Sequence, residues 1–470
     1  MNEYSTRRIL LLIFFSMGLL VLLSNVPWSD LTGNYIKDFN LLSDICPKQK
    51  DLKQTAETAV PEIPEDFDMP DEEESIITED IDPEDPEPAV ADTDTDTIVP
   101  AKALVEAPLD GDIVLVESYL PTGEILPRFK AALANSSSQV VRIAMLGDSY
   151  IEGDIMSQDL RDMFQGRYGG RGVGFVPLHS DFPGFRSSVR MSDTGWKLYD
   201  VRTMNSSDTI RQISGDYAVA ENVASTTYKG SSKRPRTKNW DRSSFLFLAP
   251  DSARITLTTD AGSRDFDVMP SPDVQSLDIP GTTSYFKVSV STPGLVALGA
   301  YLDSNTGVLL DCMSIRGNSG LPMRRINPRL SGQLRQSVDY DLIILEYGMN
   351  SVNAAEQQYT AYGIGITKLI NKLKRLYPEA DILLLGVGDR GTKDGVTVVS
   401  LPTCQAMVNA QRKAAADAGV HFWDTRAAMG GENAIAEWRK RRLVNADYIH
   451  LNHDGGRELA DRLFKAILHD

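Results

Sequence analysis

The sequence predicts an α/β protein with a mostly parallel sheet covered on both faces, interrupted by an inserted antiparallel β-sandwich of jelly-roll type. Three observations carry that reading. Apolar runs of strand length at 140–146, 341–347 and 380–387 lack clean alternation and are separated by helical stretches, the pattern of strands buried on both sides. Between about 170 and 305 the texture changes to short alternating strands punctuated by Gly, Pro, Asp and Ser, as in an antiparallel sandwich. Two N-terminal stretches, one apolar and one acidic, fit neither pattern and lie ahead of both.

The 470 residues, 42% of them apolar, exceed one average domain and suffice for a sizeable core. Residues 9–23 are almost uninterrupted Leu, Ile, Phe, Met and Val after Arg7 and Arg8. They read as a secretory signal or a short membrane anchor, and the bulky residues at 24–28, where a peptidase wants small ones, favour the uncleaved anchor. The two arginines then leave the N-terminus in the cytoplasm and the rest of the chain in the periplasm or otherwise outside the membrane. Cys46 lies too far past the apolar run to be a lipid anchor. From 62 to 96 there are seventeen Asp and Glu, five Pro and no Lys or Arg. Such a stretch cannot bury enough apolar surface to offset its ordering entropy, and it reads as an extended, disordered tether. It carries the whole net charge of −17, so the remainder is formally neutral and no nucleic-acid partner is expected. The expected organisation is anchor or signal at 1–30, acidic linker at 31–110, the first part of the α/β domain at 111–168, the insert at 169–305 and the second part at 306–470.

In the α/β part, residues 112–118 form a lead-in, and Ile125, Phe129 and Leu133 at four-residue spacing predict a helix. The strand at 140–146 stops at Gly147-Asp148-Ser149, and apolar residues near helical spacing follow from 155 to 164. Ser149 is thus placed in a strand-to-helix turn, where helix N–H groups face a developing oxyanion. The glycine-rich run 169–174 follows a helix and not a strand, which excludes a phosphate loop. In the insert, strands are expected at 245–248, 253–259, 266–269, 285–291 and 295–302. Trp196, Tyr199, Tyr228 and Trp240 are candidates for stacking on sugar faces, although each alone reads better as core. After the insert come a strand at 307–315, helices at 322–334, 361–376 and 405–418, a last strand at 420–423, and a terminal helix striped by Leu459, Leu463 and Ile467. The basic run 439–442 reads as a solvated helix end.

A serine hydroxyl is a weak nucleophile and needs a general base, which in turn needs an acceptor to hold its tautomer. Asp447 and His450, three residues apart before the terminal helix, supply such a pair; His453 competes for the base role. Gly317 and Gly348-Met349-Asn350 both lie just past probable strands. Cys46, Cys312 and Cys404 show no metal spacing, His450 and His453 have no clustered acidic or thiol partners, and no cofactor is implied.

In order, Gly147-Asp148-Ser149, Gly317, Gly348-x-Asn350 and Asp447-x-x-His450 resemble the four blocks of the SGNH (GDSL-type) hydrolase family. The resemblance covers roughly 111–168 and 306–470. It implies a three-layer fold with Ser149 as nucleophile, His450 as base and Asp447 as its orienting acid. It also implies an oxyanion hole made by the Ser149 and Gly317 N–H groups and the Asn350 amide. The family usually has Asp after the third-block Asn, where this chain has Ser351. The insert, with Gly153-Asp154 through Gly174-Phe175 and Phe422-Trp423-Asp424 through Met429-Gly430-Gly431, is similar to the peptidoglycan O-acetylesterase branch of the family. That likeness implies an esterase releasing short acyl groups from a cell-envelope polysaccharide. The same triad can pass its acyl group to a sugar hydroxyl, as in an O-acetyltransferase, and an inactive glycan-binding adaptor is a further alternative.

Overall fold

The structure, a computed structural model, describes residues 106–205, 208–394 and 397–469. The expected anchor and acidic linker lie outside them. Among the described residues no helix is long and apolar enough to cross a membrane.

The chain enters through β1 (Glu117–Ser118), α1 (Pro127–Ala134), β2 (Val140–Gly147) and α2 (Ser157–Tyr168). Nine strands of the insert follow: β3 (Gly174–Val176), β4 (Val189–Asp200), β5 (Asp216–Gly230), β6 (Trp240–Ala249), β7 (Ala253–Thr259), β8 (Gly262–Val268), β9 (Ser271–Thr283), β10 (Tyr285–Val290) and β11 (Val296–Asp303). The α/β pattern then resumes with β12 (Gly307–Ser314), α3 (Pro328–Leu334), β13 (Leu342–Glu346), α4 (Thr360–Leu376) and β14 (Asp381–Leu385). A hairpin of β15 (Gly391–Asp394) and β16 (Thr397–Ser400) precedes α5 (Thr403–Ala418), β17 (His421–Trp423), α6 (Thr425–Met429), α7 (Ala434–Lys440) and α8 (His453–Ile467).

Six strands form one sheet in the order β12-β2-β13-β14-β17-β1; the first five are parallel and β1 closes an edge antiparallel. Successive side chains of a strand point to opposite faces, so the uninterrupted apolar runs serve two cores at once. Val141, Ile143 and Met145 of β2 join Ile344 and Leu383 against α2 and α8, through Leu160, Phe164, Leu459 and Leu463. Ala144 and Leu146 join Ile343, Leu345 and Leu384 against α4 and α5, through Ile366, Leu369, Met407 and Val408. This is the three-layer arrangement that the apolar runs predicted.

Every pairing in the insert is antiparallel, and all nine strands belong to one branched network, β8-β7-β10-β5-β11-β6-β9, with β4 on β5 and β3 on β11. The network folds over a core of its own that includes Phe245, Phe247, Phe286 and Val288. The insert also shares the core of the α/β part, because Phe175, Leu246, Leu298 and Tyr301 pack into the cluster that covers β13 and α4. A buried charge cluster fastens the two parts. Arg142 of β2 donates to both Asp311 oxygens at 2.9 and 3.0 Å and pairs with Asp303 of β11, while Asp311 accepts the Phe175 N–H at 2.9 Å. Burial disfavours the Arg142 charge, but the two carboxylates outweigh it and raise the guanidinium pKa further.

Two expectations need correction, and the reading of the insert's aromatics as core holds for three of four. The helix read over 322–334 is a 3-10 turn, Leu321–Arg325, and a separate α3. Pro328 has no N–H to continue the first turn, and Asn327 caps the second helix by accepting from Arg329 N and Leu330 N. Strands β3, β4, β5 and β9, the β15–β16 hairpin and the short helices α6 and α7 were not expected. Trp196, Tyr228 and Trp240 are core residues: Tyr228 donates to Pro177 O at 2.6 Å and Trp240 to Ser243 Oγ at 2.7 Å. Tyr199 stacks on Tyr217, with ring centroids 5.1 Å apart. Trp196, Tyr228 and Trp240 offer no free face of the kind a sugar needs.

Candidate active site

Register brings the site together. Ser314 and Glu346 are both Cα partners of Gly147, so β2, β12 and β13 end level at one edge of the sheet. Ser149, Gly317 and Asn350 lie two to four residues beyond those ends. All five parallel strands point the same way, so segments far apart in sequence converge at this edge.

His450 reaches the edge from the loop between α7 and α8. Asn452 caps α8 by accepting from Asp454 N and Gly455 N. Gly455 and Gly456 let that helix approach: a Cβ on Gly456 would stand 2.6 Å from Met156 N, and one on Gly455 only 1.9 Å from Leu443 O. So placed, His450 Nε2 lies 3.0 Å from Ser149 Oγ, and its Nδ1 lies 2.6 Å from Asp447 Oδ2. Asp447 Oδ1 accepts the N–H groups of Ile449 and His450 at 2.9 and 3.1 Å. Burial pushes the Asp447 carboxyl up, yet the His450 ring and these N–H groups outweigh it and hold the group below the usual carboxylate range. An ionised Asp447 fixes the imidazole with Nε2 turned toward the serine, the arrangement that lets a hydroxyl lose its proton to a ring nitrogen.

Asn350, in the 3-10 turn Met349–Ser351, donates from Nδ2 to Asp148 Oδ2 at 2.8 Å and has a longer contact to Asn318 O at 3.4 Å. Asp148 Oδ1 accepts the Tyr150 N–H at 2.9 Å. Asp148 therefore ties the turn that carries Ser149 to the Asn350 amide. Gly317 has φ +74°, a left-handed conformation that glycine adopts without strain. Beneath the turn Glu346 is buried, and burial together with the nearby Asp148 raises its carboxyl well above the usual range. Sequence reasoning assigned no role to Glu346 or Asp148. For Glu346 the one available signal is an acid inside an otherwise apolar strand, as Arg142 is a base inside β2.

The other histidines are used elsewhere. His453 Nδ1 meets Gln158 Nε2 at 2.9 Å, so among the described contacts it is His450 and not His453 that holds the serine. His421 Nε2 accepts the Leu126 N–H at 3.0 Å, His179 lies between Asp193 and Asp181, and His469 pairs with Asp110. The basic run 439–442 closes α7: Arg439 donates to Val444 O and Arg441 pairs with Glu458. Cys312 and Cys404 are free and buried, and burial pushes both thiols up to about 11. Among the described residues no three His, Cys, Asp or Glu side chains cluster as metal ligands.

Residues 288–457 match the family described as GDSL-like Lipase/Acylhydrolase, a span that holds Gly317, Asn350, Asp447 and His450 and stops short of Ser149. Among solved structures, a peptidoglycan O-acetylesterase matches 75% of this chain and 97% of its own, at 21% identity and a TM-score of 0.61. An acetyl xylan esterase matches 34% of this chain and 82% of its own, at 20% identity and a TM-score of 0.27. A family two carbohydrate esterase from Clostridium thermocellum matches 58% and 97%, at 13% identity and a TM-score of 0.25. No curated protein matches the sequence.

Proposed function

We propose that this chain is an SGNH-type carboxylic ester hydrolase that removes O-acetyl groups from a cell-envelope polysaccharide, peptidoglycan foremost; residues 288–457 match the GDSL-like Lipase/Acylhydrolase family and the fold resembles that of a peptidoglycan O-acetylesterase. The observation that supports the reading is the pair of hydrogen bonds linking Ser149 Oγ to His450 and His450 to Asp447, beside Gly317 and Asn350.

In this mechanism Ser149 Oγ attacks the acyl carbonyl carbon while its proton passes to His450 Nε2. Asp447 holds the Nδ1–H and stabilises the imidazolium. The carbonyl oxygen, now negative, accepts from the Ser149 and Gly317 N–H groups and from Asn350 Nδ2, each such donor being worth roughly 2.7–4 kcal/mol in the transition state. The sugar oxygen leaves with the proton from His450. Water, deprotonated by the same ring, then attacks the acyl-serine and releases acetate. The N-terminal apolar run and acidic tether would hold this head outside the cytoplasmic membrane.

The test is acetate release by the wild-type chain and by Ser149→Ala from O-acetylated peptidoglycan, acetylated xylan and a small aryl acetate. Release from peptidoglycan by wild type alone is the expected result. Turnover of the aryl acetate only would keep the hydrolase and discard the polysaccharide, and no turnover at all would discard the triad.

A further inference from the structure

The insert lends a loop to the catalytic edge, and a cavity of about 290 Å³ opens between them. The hydrolase lines it with Glu152 and Arg316, the insert with Asp181, Phe182, Phe185 and Arg202. It adjoins the site directly. The Glu152 N–H donates to Ser149 O at 3.3 Å, Arg316 precedes Gly317, and a Cβ on Gly317 would stand 3.8 Å from the Arg202 guanidinium.

Its lining has two characters. Phe182 and Phe185 stack with centroids 5.3 Å apart and planes 11° from parallel, and Phe182 is 39% exposed. Phe185 is seated on the nucleophile turn, since a Cβ on Gly153 would come within 3.0 Å of its Cβ. Arg316 lies over the Phe182 ring, 4.6 Å from its centroid. The charges around these rings come in opposed pairs: Arg316 Nε with Glu152 at 3.1 Å, Arg202 with Asp200 at 2.8 Å, and His179 with Asp181 at 3.2 Å. Paired charges leave directional donors and acceptors with little net field, which favours hydroxyl groups over a free anion or cation.

A flat apolar face ringed by paired polar groups is complementary to a pyranose, which has a C–H face and a rim of hydroxyls. We propose that this cavity is a subsite for an uncharged saccharide unit next to the ester-bearing one, with Phe182 as its stacking face; the assignment rests on the polysaccharide reading above. The insert then selects the substrate through the loop that carries Phe182 and Phe185, and its buried tryptophans take no part.

The experiment is calorimetric titration of the full-length Ser149→Ala protein with an uncharged N-acetylglucosamine oligomer, beside Ser149→Ala/Phe182→Ala and Ser149→Ala/Phe182→Trp. Loss of the ring is expected to weaken binding about tenfold, as one stacking contact would, with Trp restoring it. In the active chain, Phe182→Ala should lower kcat/KM on O-acetylated peptidoglycan relative to the aryl acetate by about the same factor. Equal binding by all three proteins, or binding by none, would overturn the subsite. Tight, Phe182-dependent binding by a chain whose wild type spares O-acetylated peptidoglycan would keep the subsite and sink the proposed substrate. Thermal melting of the double variants separates lost stacking from lost folding.

Discussion

The parallel sheet and the insert bury aromatic and aliphatic residues to the same degree, yet they place function differently. In the parallel sheet β2, β12 and β13 all end at one edge, so the residues just beyond each strand meet without long loops. In the insert neighbouring strands run opposite ways, their ends scatter to both sides, and the large aromatics of β5 and β6 turn inward. What the insert contributes near the site comes from the loop between β3 and β4 and from Arg202, just past the end of β4. Strand polarity decides whether chemistry gathers at strand ends or has to be delivered by a loop.

The largest expected effect confines the chemistry to the parallel edge. Ser149→Ala should lower acetate release by about 10⁴-fold or more while leaving the melting temperature almost unchanged; appreciable residual turnover would mean that another nucleophile acts. Next comes the joint between the two regions. Arg142→Met leaves Asp311 buried without its cation and Asp303 with only the longer contact to Arg242 at 3.6 Å, and should cost about 3–5 kcal/mol in urea unfolding. A cost below about 1 kcal/mol would show that the apolar contacts alone fasten the insert. Asn350→Ala should reduce kcat on the order of 100-fold with little change in stability, and full activity would remove Asn350 from the oxyanion hole.

The smallest effect belongs to the insert. Burial, chiefly, raises Asp216 at the start of β5 to about 6 from 3.8. Its folded state therefore holds a proton that the unfolded chain has already released between about pH 4 and 6. Its contribution to stability is present below pH 4 and is lost as the pH rises through 6. Asp216→Asn should accordingly gain stability over wild type at pH 8 compared with pH 3, by about 1 kcal/mol once residual solvent screening is allowed for. Parallel pH–stability curves would remove Asp216 as the cause.

Much of the site is legible in the chain's local patterns. A glycine-broken apolar strand ahead of Ser149, and an Asp and a His three residues apart before a terminal helix, are arrangements whose chemistry needs those residue types. His450 and Asp447 do stand in line with Ser149. The helix boundary at Pro328 is equally local, because a proline has no N–H with which to extend the preceding turn. Glu346 and Arg142 are harder, because one charged residue in an apolar run does not announce which partner it meets across the sheet.

By itself the sequence determined the alternation of strands and helices, the two faces of each buried strand and the change to β texture in the insert, since each follows from local periodicity; the order of the four blocks rests on the resemblance to a known family. Only the tertiary structure decided that Asp148 ties down Asn350, that Arg142 meets Asp303 and Asp311, and that Phe182 and Phe185 border the site. Those outcomes depend on strand register and on the approach of segments far apart in the chain, distances that no local pattern encodes.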